Sequence, residues 1–247
     1  MYCKKALEKG MNVIVEKPMT DDAGEAESLA ALARKKGLFL FEAITTLYMD
    51  SYKKMQEWLP RIGEIKLVQS RFCQYSSRYE NFRNGIVAPV FDPKKSGGAL
   101  MDLNVYNIHY VMGMFGKPES LSYYPNIDKN IDTSGVLMML YPTFISVCSA
   151  AKDCSGDPGG TIQGTKGFIR NTATPNMVGD VILQLNDGTT ETFKEQSAQH
   201  RAIPEFNAFI RAVKEKDHDF CYAQLEKSLA VNEVLNRARI QAGIRFK

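Results

Sequence analysis

The chain has 247 residues, of which 44% are hydrophobic and 24% charged, with a formal net charge of +3. This is apolar material for one large core or two smaller ones, while the near balance of charge and the dispersal of basic residues exclude a nucleic-acid or membrane-binding surface. Cys3, Cys73, Cys148, Cys154 and Cys221 are widely spaced and form no CxxC pair, and the three histidines are not clustered. Neither a disulfide framework nor a metal site is expected, and the expected compartment is a reducing cytoplasm. No apolar run is long enough to cross a membrane, and no internal repeat is present.

Met1 to Lys9 contains good helix formers with basic residues near its end, and Gly10 stands where a left-handed cap closes a helix. Met11 to Val15 is a short apolar run flanked by helical segments, which predicts a strand of a parallel sheet buried on both faces. It stops at Glu16-Lys17-Pro18. Asp21 and Asp22 open a second helix to about Lys36, capped by Gly37, and Leu38 to Phe41 predicts a second strand ending at Glu42 and Ala43. This β-α-β alternation sets Lys17 at the carboxyl end of a strand, where open α/β sheets bind ligands.

Further along, Tyr52 to Leu59 reads as an amphipathic helix stopped by Pro60, Glu64 to about Tyr75 as a long strand, and Ala99 to Phe115 as a helix. Between Ser120 and Lys194, short runs rich in Val, Ile, Leu, Thr and Phe alternate with turn signals such as Asn186-Asp187-Gly188, predicting an antiparallel sheet. Two helices, roughly Ile203 to Lys216 and Tyr222 to Ala242, close the chain. The expected class is α/β: a parallel fragment over residues 1–46, then an α+β domain with a large, mostly antiparallel sheet over residues 47–247.

The segment GGALMDLNVYNIHYVMGMFG, Gly97 to Gly116, carries chemistry. At 100° per residue, Leu100, Leu103, Ile108, Val111 and Phe115 form one stripe, and Asp102, Tyr106, His109 and Gly113 share the opposite side. A carboxylate, a phenol and an imidazole on one face are either a solvated surface or a proton-handling cluster. The two glycines before the helix permit close approach by backbone or ligand. His109, with Asn107 beside it, is a substrate-binding candidate, and a histidine packed under the helix is the equal alternative.

A strand ending on EKP, followed about 80 residues later by GGALMDLNVY and then by a strand-rich region, resembles the Gfo/Idh/MocA family of NAD(P)-dependent oxidoreductases. FEAITTLY, Phe41 to Tyr48, is similar to the family's passage from nucleotide domain to second domain. The resemblance implies a Rossmann-type fragment followed by a domain on a mostly antiparallel sheet, and hydride transfer between a nicotinamide cofactor and a sugar, polyol or dihydrodiol hydroxyl. It implies that Lys17 lies beside the nicotinamide and hydrogen-bonds the reacting oxygen, with a Lys17–Pro18 bond often cis, and that Asp102 orients that lysine. Tyr106 would be the general acid/base, its pKa lowered by a neighbouring cation. Glu16, Lys17 and Pro18 become the expected cofactor contacts.

The sequence contains no GxGxxG, and Gly156 to Gly160 precedes no helix. The resemblance would place that turn in β-α units preceding Met1, so the Rossmann part is expected to be incomplete and NAD or NADP to bind these 247 residues weakly. Thr45 and Leu47 stand where dihydrodiol dehydrogenases commonly carry tryptophan and arginine. The alternatives are a non-catalytic oligomeric remnant and a small-molecule-binding protein. Apolar residues in Val136 to Leu140 and Phe144 to Val147 predict a sheet face covered by a second copy, hence a dimer.

Overall fold

Helix α1 (Tyr2–Glu8), strand β1 (Val13–Glu16), helix α2 (Ala23–Lys35) and strand β2 (Leu40–Ala43) form the first unit of a computed structural model that describes residues 2–195 and 200–246. Met1, expected to open the first helix, lies outside the described residues. Gly10 and Gly37 take the left-handed backbone expected of them, at φ +78° and +62°. Asp22 caps α2, its side chain accepting the Glu25 N–H at 2.8 Å. Strands β1 and β2 run parallel, from Val13 opposite Leu40 to Glu16 opposite Ala43.

One expectation for this unit is overturned. β1 is not buried on both faces: Val13 and Val15 turn toward the core with Leu7, Leu29 and Leu40, whereas Ile14 is 43% exposed and Glu16 faces out. Its one strand neighbour among the described residues is β2, which leaves the outer edge open.

Helix α3 (Asp50–Trp58) ends in a 3-10 turn holding Pro60, and strand β3 (Ile65–Cys73) follows. A short helix α4 (Tyr79–Arg83) and two 3-10 turns lead to a π-helical turn, Leu100–Asn104, that runs into helix α5 (Val105–Phe115). Then come β4 (Ser120–Asp128), β5 (Ile131–Leu140), β6 (Ile145–Ala151), β7 (Gly159–Gly164), β8 (Gly167–Asn171), β9 (Val181–Leu185) and β10 (Thr190–Phe193). Helices α6 (Ile203–Glu215) and α7 (His218–Gln241) close the chain. The larger sheet has the order β10-β9-β8-β7-β3-β6-β5-β4, antiparallel throughout except where β3 lies parallel to β6.

Alternate residues of this sheet, among them Val68, Leu137, Met139, Ile162, Ile169 and Leu183, are fully buried beneath the helices. α5 crosses that inner face and is itself covered by α7, so its residues 105–112 are all buried. The expected division of this helix into an apolar and a polar face therefore does not hold. The π turn also changes the rotation per residue across Asp102, which displaces the 100° reading.

The two glycines before the helix serve close backbone packing. A Cβ on Gly97 would lie 2.8 Å from the Val90 carbonyl carbon, and one on Gly98, at φ +103°, 2.0 Å from Asp132 Oδ1. Asp132, buried on β5, accepts the Leu100 N–H at 2.6 Å and the Tyr123 hydroxyl at 2.7 Å, satisfying an amide at the helix start. Helix α7 reaches back over the first unit, where Leu225 completes the core of Leu7, Leu29 and Leu40.

Candidate active site

The carboxyl end of β1 and the π turn that opens α5 meet beside the Lys17–Pro18 peptide, which is cis. Lys17 leaves β1 at its carboxyl end and donates from Nζ to Asp102 Oδ1 at 2.8 Å and to the Asp102 backbone carbonyl at 2.6 Å. Its ammonium lies 5.0 Å from the centre of the Tyr106 ring. The structure thus brings Lys17, Asp102 and Tyr106 into one cluster where the small parallel unit meets α5.

A fourth member carries no sequence motif. Lys152, directly after β6, is 2% exposed and donates to Asp102 Oδ2 at 2.5 Å and to the Val90 carbonyl at 2.9 Å. Its backbone is fixed by extension of the ladder, with the Ser76 N–H donating to its carbonyl and its own N–H to that of Thr133. Burial works against the charge on Asp102, but Lys17 and then Lys152 outweigh it and hold the carboxyl below its ordinary range. Burial pulls Lys152 down, with Asp102 opposing.

Tyr106 departs from expectation. Its phenol is pushed up to about 12, first by burial and further by Glu16, Asp102 and Glu205, against a lowering by Arg201. The net lowering expected from a neighbouring cation is overcome by burial, and the Lys17 ammonium, which lies over the ring, is engaged by Asp102. Glu205, in the first turn of α6, is 2% exposed, and its Oε2 has no hydrogen-bond partner. Burial and then Glu16 push its carboxyl to about 7.

Asn107 and His109, the substrate-binding candidates, lie outside this cluster, and of the two readings of His109 the structure shows the histidine packed under the helix. Asn107 is fully buried between α5 and the sheet, accepting from Ser70 Oγ at 2.8 Å and donating to Asn104 Oδ1 and the Ser149 carbonyl. His109 is 1% exposed, with Nε2 3.1 Å from Glu42 Oε2. Glu42 in turn accepts the Met19 N–H at 2.8 Å, and although burial resists its charge, His109 keeps its carboxyl below the ordinary range. The dyad therefore ties the segment after Lys17–Pro18 to α5. Asn232 of α7 adds a second tie, donating to the Thr20 carbonyl at 2.7 Å.

Two cavities flank the cluster. One of about 420 Å³ opens at the strand end and is lined by Glu16, Lys17, Pro18, Thr20, Asp21 and Ser96. Another of about 150 Å³ lies on the far side of Asp102. Among the described residues no group of three or more His, Cys, Asp or Glu could hold a metal ion.

A parallel β-α-β unit whose strand end delivers a lysine to a helix-borne carboxylate and phenol makes this an α/β protein with a cluster suited to proton handling at the ligand-binding edge of its small sheet. Residues 1–44 match the family model for an oxidoreductase family with an NAD-binding Rossmann fold, and residues 52–170 match the GFO/IDH/MocA C-terminal domain. The chain belongs to the Gfo/Idh/MocA family of NAD(P)-dependent oxidoreductases. It is 29% identical over 239 residues to the scyllo-inositol 2-dehydrogenase (NADP(+)) IolU of Bacillus subtilis, an alignment covering 96% of this chain and 73% of that one. It is 31% identical over 176 residues to the trans-1,2-dihydrobenzene-1,2-diol dehydrogenase of Sus scrofa, covering 66% of this chain and 48% of that enzyme. Among solved structures it resembles KijD10, a 3-ketoreductase from Actinomadura kijaniata crystallised with NADP and TDP-benzene, at a TM-score of 0.83 and 21% identity over 97% of this chain and 74% of that one. No helix among the described residues is long and apolar enough to cross a membrane.

Proposed function

We propose that the chain performs the proton chemistry of hydride transfer between NAD(P) and a hydroxyl or carbonyl of a sugar, polyol or dihydrodiol. The convergence of Lys17, Asp102 and Tyr106 carries this reading. The inositol and dihydrodiol substrates named for the relatives support the substrate class. Bound nicotinamide supplies or accepts the hydride. Lys17, anchored by Asp102, donates a hydrogen bond to the reacting oxygen and polarises it. With its phenol pushed up to about 12, Tyr106 holds its proton at neutral pH and is set to give it. In carbonyl reduction the carbon gains hydride while its oxygen takes the Tyr106 proton, completing the alcohol.

Glu16, Lys17 and Pro18 would hold the nicotinamide end, since they wall the larger cavity at the strand end. The sequence has no glycine turn for the pyrophosphate, so calorimetric affinity for NADP is expected to be weaker than micromolar and turnover should be assayed at high cofactor. Under those conditions Tyr106→Phe and Lys17→Ala are each expected to lower carbonyl reduction by about 10²–10⁴-fold. Unchanged turnover in Tyr106→Phe would overturn the assignment.

Residues 1–46 would be the nucleotide-binding part and residues 47–247 the substrate and assembly part, divided at the 3-10 turn after β2. Leu140 and Ile145 are 40% and 41% exposed on the uncovered side of the large sheet, which favours a two-fold dimer through that face. Light scattering that reports a monomer at micromolar concentration would rule it out. Five cysteines without a disulfide favour a reducing cytoplasm, and a disulfide in protein purified from its source would count against that.

A further inference from the structure

The smaller cavity contains more positive charge than a neutral sugar requires. It is lined by Gln74, Ser76, Ser77, Arg78, Asp102 and Lys152, among other residues, and measures about 150 Å³. Asp102 is the acidic member of that group, and both of its oxygens are already taken, Oδ1 by Lys17 and Oδ2 by Lys152. An ammonium has three protons to donate, and Lys152 uses two of them on Asp102 and the Val90 carbonyl. The third is unused in a side chain that is almost wholly buried. The Arg78 guanidinium, on the wall of the same cavity, makes no hydrogen bond or ion pair among the described residues. Its backbone N–H is held to Ser76 Oγ at 3.3 Å, which fixes the loop from which it projects.

Lys17 and Lys152 both pair with Asp102 and the buried Asp132 adds a second acid whose field Lys152 feels, so the charged side chains on the cavity wall, Arg78 and Lys152 against Asp102, carry one net positive charge. A buried donor left unused, as on Lys152, is costly unless a ligand supplies an acceptor. The matching ligand is an anionic oxygen group, and a guanidinium fork beside an ammonium suits a carboxylate. The position matters as much as the charge. Asp102 pairs with Lys17 through Oδ1 and with Lys152 through Oδ2, so the cavity lies one carboxylate away from the lysine of the reaction side.

We propose that the cavity beside Asp102 is a carboxylate subsite formed by Lys152 and Arg78, and that the substrate is a sugar or polyol acid. This deepens the oxidoreductase reading and rests on it for the reaction, but the binding it describes does not depend on turnover. The test is calorimetric titration of the whole protein with D-glucuronate, D-glucose and D-glucose 6-phosphate, with and without saturating NADP. The sugar acid is expected to bind at least about tenfold tighter than glucose, in line with a charge-assisted contact. Arg78→Ala, a change at an exposed position, is expected to abolish that preference and leave glucose unchanged. Because Lys152→Met alters a buried ion cluster, its result would be read only alongside an unchanged far-ultraviolet spectrum. Equal binding of acid and neutral sugar, a preference for the phosphate, or a preference that survives Arg78→Ala would overturn the subsite. If the acid binds as expected while no hydride transfer is detected, the subsite stands and the oxidoreductase reading falls. The reverse outcome leaves the reaction and removes the subsite.

Discussion

The two sheets of this molecule are stabilised in different ways. The eight-stranded sheet carries its own core, and residues Ile131 to Gly135 of β5 are buried in succession. The two-stranded unit does not: β1 alternates between half-buried and exposed residues, and the unit's core is completed by Leu225 from the last helix. Polar ties do the rest. Lys17 to Asp102, Glu42 to His109 and Thr20 to Asn232 all run from the small unit to the large one. The small unit supplies the lysine, and the large unit determines where that lysine sits.

The comparison is broken most strongly at the Glu42–His109 dyad. Glu42→Leu takes from the buried imidazole the carboxylate 3.1 Å away and from the Met19 N–H its acceptor, and is expected to cost about 3–5 kcal/mol. If the dyad matters as a pair, Glu42→Leu with His109→Leu should recover part of that loss, because the imidazole no longer faces an apolar side chain, while the Met19 N–H stays without its acceptor. Thermal unfolding of the single and double variants decides it. A single variant as stable as the parent would show that the small unit does not lean on this tie.

A smaller effect is expected at Glu205. Its carboxyl is raised to about 7, so the folded chain binds a proton that the unfolded chain has lost by then. The associated stability is fully present below the ordinary carboxylate pKa of about 4.5 and declines as pH rises to about 7. Glu205→Gln should therefore match the parent near pH 4 and exceed it near pH 8 by up to about 3 kcal/mol. Denaturant unfolding at the two pH values would show it, and parallel curves would count against a strained carboxyl beside Tyr106. The smallest effect belongs to the small unit's own helix. Asp22→Ala removes the cap of α2 and should cost about 1 kcal/mol by the same measurement.

Legibility in the sequence followed the range of each interaction. The caps at Gly10, Asp22 and Gly37, and the Asn186-Asp187-Gly188 turn between β9 and β10, depend on neighbours a few residues away and stand where the pattern predicts. Lys17, Asp102 and Tyr106 stand out because each sits in a short motif. Lys152 has no motif, although it ends an apolar strand as Lys17 does, and that shared position is the signal that could have revealed it. Glu205 and Asp132 are hidden for a different reason. Their burial depends on elements far along the chain, and nothing in their immediate neighbours marks them. The helix bearing Tyr106 has an amphipathic pattern in sequence, but α7, more than a hundred residues later, covers its second side.

The bond from Asn232 to Thr20 spans 212 positions of sequence. At synthesis speeds of about 5–20 residues per second, the turn that carries Lys17 emerges on the order of 10–40 s before the helix that braces it. In that interval the eight-stranded sheet can form, but the first strands have neither Leu225 nor Asn232 to rest on. The assembled site is therefore a late event in the life of the chain, and a polypeptide stopped before α7 would leave the first unit without the leucine that completes its core.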